Sequence, residues 1–253
     1  MSAELLINVT PSESRVALIE NGILQEIHVE RHTKRGLVGN IYRGKVSRVL
    51  PGMQAAFVDI GLEKAAFLHA SDIVIHNEIA EEVSASHIQK QDIRELVRDG
   101  QDIVVQVVKD PIGTKGARLT TDITIPSRYL VFMPSVTHVG VSQRIEEEAE
   151  RERLKSLVQE FCDENGGFIL RTAAEGVGKN ELQSDAAFLR RLWDKIQSRM
   201  KKRKSNVLYE DLPLARRVLR DFVGTELDRI RIDSKLSFNE LHQFTKEYVP
   251  EMN

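Results

Sequence analysis

The chain is poor in features that usually announce a function. Its single cysteine, Cys162, excludes an internal disulfide and any metal site built from several cysteines, and it fits a reducing cytoplasm. Lysine plus arginine (36) and aspartate plus glutamate (38) nearly cancel, leaving a formal net charge of −2. No overall cationic field therefore marks an anionic partner, and any such contact must use local patches. Charge is nonetheless segregated, acidic in Glu146-Glu-Glu-Ala-Glu150 and basic in Arg199-Met-Lys-Lys-Arg-Lys204. No apolar run approaches the ~20 residues that span a bilayer. The start, Met1-Ser-Ala-Glu-Leu-Leu-Ile, lacks the basic region and long apolar core of a signal peptide. A soluble protein is expected. Also missing are a Walker-type phosphate loop, a dinucleotide fingerprint and a Ser/His/Asp or Cys/His set. His28 and His32 are four apart, but strand-like sequence separates their side chains, so they do not read as a metal pair.

What is present suits one large or two to three small domains, with 41% hydrophobic and 29% charged residues. Residues 3–31 alternate as strands, and Asn21-Gly22 between two such runs predicts a hairpin. Thr33-Lys-Arg-Gly36 reads as a link into the next unit. Five strands are predicted at 40–50, 54–60, 65–68, 102–108 and 117–121, a number that suits a small barrel of the OB type. Such a barrel offers one strand face to single-stranded nucleic acid, using rings for bases and cations for phosphates. Phe57 and Phe67 supply rings, with Arg43, Lys45 and Arg48 nearby. Strand alternation sets Phe57 opposite Ala56 and Val58, yet phenylalanine in a small barrel serves the core equally well. Lys109 and Lys115, around the Asp110-Pro-Ile-Gly113 turn, fit either phosphate contacts or plain solvated loop positions. The polar stretch 75–99 is expected to form an insertion with a short helix.

After Ser127 the texture becomes α/β. Short apolar strands are predicted at 129–132 and 167–171, with a helix over 144–162 between them. A helix from about Asn180 carries Leu182, Ala186, Leu189, Trp193, Ile196 and Met200, a stripe that reads as core. Two more helices are predicted, over 213–230 and from Ser237, the latter with a Ser237/Glu240 capping box and a Leu236–Leu241 staple. Arg171-Thr172 end a strand and enter the glycine-punctuated loop Ala173-Ala-Glu-Gly-Val-Gly178. A guanidinium fork, a hydroxyl and backbone N–H groups there would suit a terminal phosphate, while an ordinary turn explains the same residues. The basic end of the long helix suits the helix dipole as well as RNA. Asp59, Asp122, Asp228 and Asp233 form no evident paired cluster for two-metal chemistry.

Several motifs together resemble the ribonuclease E/G family: Asn40-Ile-Tyr-Arg-Gly-Lys-Val46, Ala55-Ala-Phe-Val-Asp-Ile-Gly61, Lys115-Gly-Ala-Arg-Leu-Thr-Thr121, Ile169-Leu-Arg-Thr-Ala-Ala-Glu-Gly-Val-Gly178 and Val218-Leu-Arg-Asp-Phe222. The resemblance runs from residue 1 to residue 253. It implies an α+β multidomain fold: a split RNase H-like domain (1–38 and 215–253), an inserted RNA-binding OB barrel (39–125) and an α/β 5′-sensor domain (126–214). It also implies a cytoplasmic single-strand endoribonuclease acting on rRNA precursors and mRNA. By the same resemblance, Arg171 and Thr172, the backbone of Val131 and Arg144 hold a 5′-monophosphate, and Phe57, Phe67, Lys115 and Lys109 hold RNA. Gln143 departs from the ribonuclease E pattern, which has two consecutive arginines where this chain has Gln143-Arg144. The family's Mg²⁺-binding aspartates and its Zn²⁺-linking cysteines belong to regions C-terminal to all of these motifs. The chain is accordingly expected to be an N-terminal part that is inactive alone, with a homo-oligomer, a dimer, as the expected assembly. The alternative is a non-enzymatic RNA-binding or scaffold protein.

Overall fold

The computed structural model describes residues 3–74, 92–162, 166–202, 205–221 and 227–248. Most of the insertion expected over 75–99, the end of the basic run at Lys204 and the middle of 213–230 lie outside the described residues.

Three antiparallel strands come first: β1 (Ala3–Val9), β2 (Glu13–Glu20) and β3 (Ile23–Arg31). The β2–β3 turn is the expected Asn21-Gly22, with φ of 50° and 81°. Both residues sit in the left-handed region that Asn and Gly tolerate best, and that turn matches the twist of the flanking strands. Next come β4 (Ile41–Leu50), β5 (Ala55–Asp59), β6 (Ala66–His69), α1 (Ile93–Leu96), β7 (Asp102–Lys109) and β8 (Arg118–Thr120). Strand β4 pairs with both β5 and β7, and β6 pairs in parallel with β8. The five strands therefore close in the order β4-β5-β6-β8-β7, the predicted barrel. Its interior holds Val46, Ala56, Val58, Leu68, Val105 and Leu119, all buried. Gly44 lets the wall close, because a Cβ there would come within 2.4 Å of Val58 Cγ1.

A second unit follows: β9 (Ile125–Pro126), β10 (Leu130–Met133), β11 (Val139–Val141), α2 (Glu148–Gln159), β12 (Gly167–Leu170) and α3 (Lys179–Lys202). The sheet order is β11-β12-β10-β9, with β11 parallel to β12. Phe132 and Phe168 reach down to the α3 stripe, where Leu182, Ala186, Leu189 and Ile196 are buried and Trp193 and Met200 partly so. Helix α2 is shorter than the predicted 144–162, which leaves Arg144 in the loop after β11.

The remaining elements are β13 (Val207–Tyr209), α4 (Leu214–Asp221), β14 (Arg229–Ile232) and α5 (Lys235–Tyr248). Strand β13 adds to the outside of β4. Strand β14 pairs in parallel with β1, Leu5 opposite Ile230 and Ile7 opposite Ile232. Residues from far-separated parts of the chain thus build one sheet, covered on one face by α4 and α5 through Val218, Leu219 and Leu241.

Two expectations fail in this part. Of the helix predicted over 213–230, Leu214–Asp221 is helical, whereas its last residues are a strand, because Arg229-Ile-Arg-Ile232 alternates with the period of two that β1 can pair with. Asp228 and Asp233 accordingly bracket β14 rather than lie in a helix. Asp228 accepts the Ala3 amide at 2.7 Å and Asp233 the Val9 amide at 3.0 Å. Helix α5 is capped by Ser234, whose Oγ accepts the Ser237 amide at 3.2 Å, three residues before the predicted cap. Leu236 is 70% exposed and staples nothing.

Candidate nucleic-acid interface

Phe57 and Phe67 alternate along their strands with Ala56, Val58, Ala66 and Leu68, all fully buried inside the barrel. Both rings must therefore point outward, where they remain half-buried. They are direct cross-strand partners, with centroids 6.3 Å apart in an edge-to-face arrangement. The His69 imidazole lies 6.4 Å beyond Phe67 and extends the platform to three rings. Sequence reasoning missed His69, although its spacing of two from Phe67 already placed it on the same strand face.

Cations flank the rings because the strands bulge. The register slips by one residue between Val46 and Arg48 and again between Val107 and Lys109. Each slip re-aims a side chain. The result is a continuous row of cross-strand partners, Lys109, Arg118, Phe67, Phe57 and Arg48. Arg118 is neutralised by Asp72, 2.9 Å away, so the exposed charge of the row sits at its two ends, on Arg48 and Lys109. Lys115 is exposed at the turn before β8, which Ile112 and Lys115 close with mutual backbone bonds of 3.2 and 3.0 Å. Lys64 steadies that turn through Gly113 O at 2.6 Å. Lys45 stands opposite Asp59, whereas Arg43 donates to the Met200 carbonyl at the end of α3 and takes no part in the platform.

A second polar cluster forms at the C-terminal ends of the parallel strands β11 and β12. Ser142 N donates to Leu170 O at 2.8 Å, and Ser142 Oγ lies 3.2 Å from Thr172 Oγ1. The Arg144 amide points at the same Oγ from 3.4 Å. Arg171 is tied by its own amide to Tyr129 O at 2.8 Å, and its guanidinium donates to the carbonyls of Ser127 and Arg128. These partners orient the fork without neutralising it, and Arg171 remains exposed. Arg171, Thr172 and Arg144 are thus brought to one edge, joined by Ser142, which sequence reasoning did not single out. Val131 sits apart from them. It lies opposite Ile169, two residues further into the sheet than the Tyr129–Arg171 contact.

The loop after Thr172 differs from expectation. Its Gly176 amide donates to Glu150 Oε1 at 2.8 Å, and the Glu175 and Val177 amides close turns onto Thr172 and Ala174. Glu150 also accepts from Arg153 at 2.6 and 2.7 Å; that bond above all, then the Gly176 amide, lowers its pKa to about 2. The Ala174, Glu175, Gly176 and Val177 amides are therefore engaged internally, which leaves the side chains of this edge as its main anion-binding groups.

The segment leading into β10, whose carbonyls hold Arg171, is anchored from below. Asp185 on α3 is 3% exposed and accepts from the Ser127 hydroxyl and from the Tyr129 and Leu130 amides, both at 2.9 Å. Burial pushes its carboxyl pKa up, against the pull of those donors. Through this contact Asp185 fixes the two carbonyls that hold Arg171.

Elsewhere the predicted absences can be described in terms of partners. His28 pairs with Glu26 at 2.9 Å and His32 with Ser14 at 2.9 Å. Asp59 accepts the Gly61 amide at 2.8 Å. Among the described residues, no three His, Cys, Asp or Glu side chains converge, and no helix is long and apolar enough to cross a membrane.

Comparison with known proteins gives two family matches: the S1 RNA binding domain over residues 37–118 and the ribonuclease E/G family over residues 124–253. The chain is 68% identical to ribonuclease G of Escherichia coli (strain K12) over all 253 residues, covering 52% of that protein. It is 62% identical to ribonuclease G of Haemophilus influenzae, again covering 52% of it. Ribonuclease E of a Nostoc species is 36% identical over 234 residues, which are 92% of this chain and 33% of that protein. The chain thus spans about half the length of the ribonuclease G relatives.

Proposed function

Because the chain belongs to the ribonuclease E/G family, we propose that it is the RNA-capturing and 5′-monophosphate-sensing part of a single-strand endoribonuclease that matures rRNA 5′ ends and degrades mRNA in the cytoplasm. The observation that carries this reading is the outward ring pair Phe57–Phe67 with cations at both ends of its row. Successive bases stack on such rings whatever their identity, and lysine or arginine beside them holds the backbone. The second contact is the edge formed by Arg171, Thr172, Ser142 and Arg144. A terminal phosphomonoester accepts from a guanidinium and hydroxyls, while a triphosphate adds bulk and charge. Anchoring one end of a transcript raises the local concentration of its downstream segment at the barrel.

In this reading the sheet shared by residues 1–38 and 215–253 is an RNase H-like domain, interrupted by the barrel and the sensor unit. The Mg²⁺ chemistry is assigned to carboxylates outside this chain. Asp59, Asp228 and Asp233 are a poor fit for such a site, since among the described residues no three carboxylates or imidazoles converge around any of them. The Zn²⁺ link needs several cysteines and Cys162 is the sole one in the sequence, so the linked homo-oligomer also belongs to the whole protein. The chain alone is inactive as a nuclease in this scheme.

The test compares 5′-monophosphorylated and 5′-hydroxyl oligonucleotides of one sequence. Phe57→Ala should weaken both by about 1–3 kcal/mol, the worth of one stacked base. Arg171→Gln should remove the preference for the monophosphate and leave the rest of the affinity intact. Equal affinities for the two ends in the unmodified chain would end the sensing claim. Indifference to Phe57→Ala would end the platform claim.

A further inference from the structure

A pocket of about 150 Å³ opens where α3, α5 and the segment after β13 meet, and it shares no lining residue with the edge at Arg171. Arg35, Lys195, Arg199 and Arg216 line it, against the carboxylates of Glu210 and Asp211. The arginines are oriented but not neutralised by their neighbours. Arg35 donates to Asp211 O, and Arg199 to Leu208 O at 3.0 Å. Arg216 lies 5.7 Å over the Phe244 ring, with no carboxylate partner among the described residues. Lys195 pairs with Glu247 and rests 4.5 Å over the ring of Tyr248. Asp211 is already drawn to Arg217 at 3.8 Å.

Tyr209 supplies a second, independent sign. It lines the same pocket, is 6% exposed, and its hydroxyl meets no hydrogen-bonding partner among the described residues. A hydroxyl that opens onto the pocket beside cations in excess over carboxylates suits an anion that accepts several hydrogen bonds. Carboxylate and phosphate both accept from arginine forks, but only a tetrahedral phosphate offers oxygens to donors arriving from several directions.

We propose that this pocket binds a phosphate group, as a second phosphate site independent of Arg171. The group can belong to an RNA backbone crossing the junction or to a small phosphorylated molecule; the recognition chemistry is the same. The volume admits one phosphate and the first atoms attached to it.

The test is a ³¹P NMR titration of inorganic phosphate, at fixed ionic strength, on the chain carrying Arg171→Gln so that the other edge is silent. Saturable binding is expected in that background. Adding Arg216→Gln should weaken it roughly tenfold or more, the loss of a charged hydrogen-bond donor. Adding Tyr209→Phe, which keeps the ring, should weaken it several-fold with the fold intact. Absence of saturable binding, or binding indifferent to both substitutions, would overturn the site. Competition then identifies the source. Displacement by a 5′-hydroxyl oligonucleotide supports the site as a backbone contact, and displacement by a mononucleotide alone supports it as a pocket for a small phosphate.

Discussion

Replacing Asp185 tests how the edge at Arg171 is built. Its carboxylate satisfies three donors at once, the Ser127 hydroxyl and the amides of Tyr129 and Leu130. In Asp185→Asn the side chain keeps its size, but one acceptor oxygen becomes an NH₂ facing donors. Each hydrogen bond to a charged acceptor is worth about 1.5–3 kcal/mol, and each buried amide left without a partner costs about 1–3 kcal/mol. The gain is partial relief of a buried charge, whose unfavourable environment is visible in its raised pKa. The net expectation is a loss of about 2–4 kcal/mol, which for a chain of this size lowers the melting temperature by roughly 5–15 °C. Thermal and urea unfolding followed by circular dichroism measure it directly. Ser127→Ala alone should cost about 1 kcal/mol, and clearly less when added to Asp185→Asn, since the two share one contact. The variant should also lose part of the proposed preference for a 5′-monophosphate, because the Ser127 and Arg128 carbonyls no longer hold Arg171 in place. A variant that melts within about a degree of the parent would refute the anchoring role.

Three other outcomes follow from the geometry. Gly44→Ala drives a methyl into Val58 Cγ1 at 2.4 Å and should destabilise the barrel by roughly 1–3 kcal/mol in urea titration. Glu150 has its pKa lowered in the fold to about 2, so its contribution is fully present above the ordinary carboxylate value near 4.5 and is lost as pH falls toward 2. Unfolding midpoints measured across that window should fall more steeply for the parent than for Glu150→Gln. Arg48→Gln and Lys109→Gln should each reduce oligonucleotide affinity and flatten its salt dependence by about one phosphate contact, whereas Arg118→Gln, already paired with Asp72, should change the slope little.

Local signals carried most of the chain. The Asn21-Gly22 turn, the five barrel strands and the α3 stripe all stand where alternation, turn chemistry and helical spacing place them. Failures concentrate where a segment is short or its partner is remote. Strands β9, β11 and β13 have two or three residues, too few for a period to show. Strand β14 is strand only because β1, more than two hundred residues away, accepts it. The ring platform was half legible: alternation set Phe57 on the face opposite Ala56 and Val58 without saying which face is the core, and the bulges that bring Arg48 and Lys109 into line are properties of paired strands. At the polar edge of β11 and β12, the position after an apolar strand drew attention to Arg171 and Thr172. Ser142 and Asp185 were not readable, since each acts through a contact that only the fold creates.

The pairing of β1 with β14 also sets a timetable for biosynthesis. Strands β1 and β2 leave the ribosome well ahead of β14, which completes their sheet and trails β1 by 225 residues. At elongation rates of about 5–20 residues per second that is a wait on the order of ten to forty-five seconds. During this interval the barrel can form from neighbours close in the chain, while Leu5 and Ile7 stay uncovered. Within these residues the first sheet is therefore among the last parts to reach its final state.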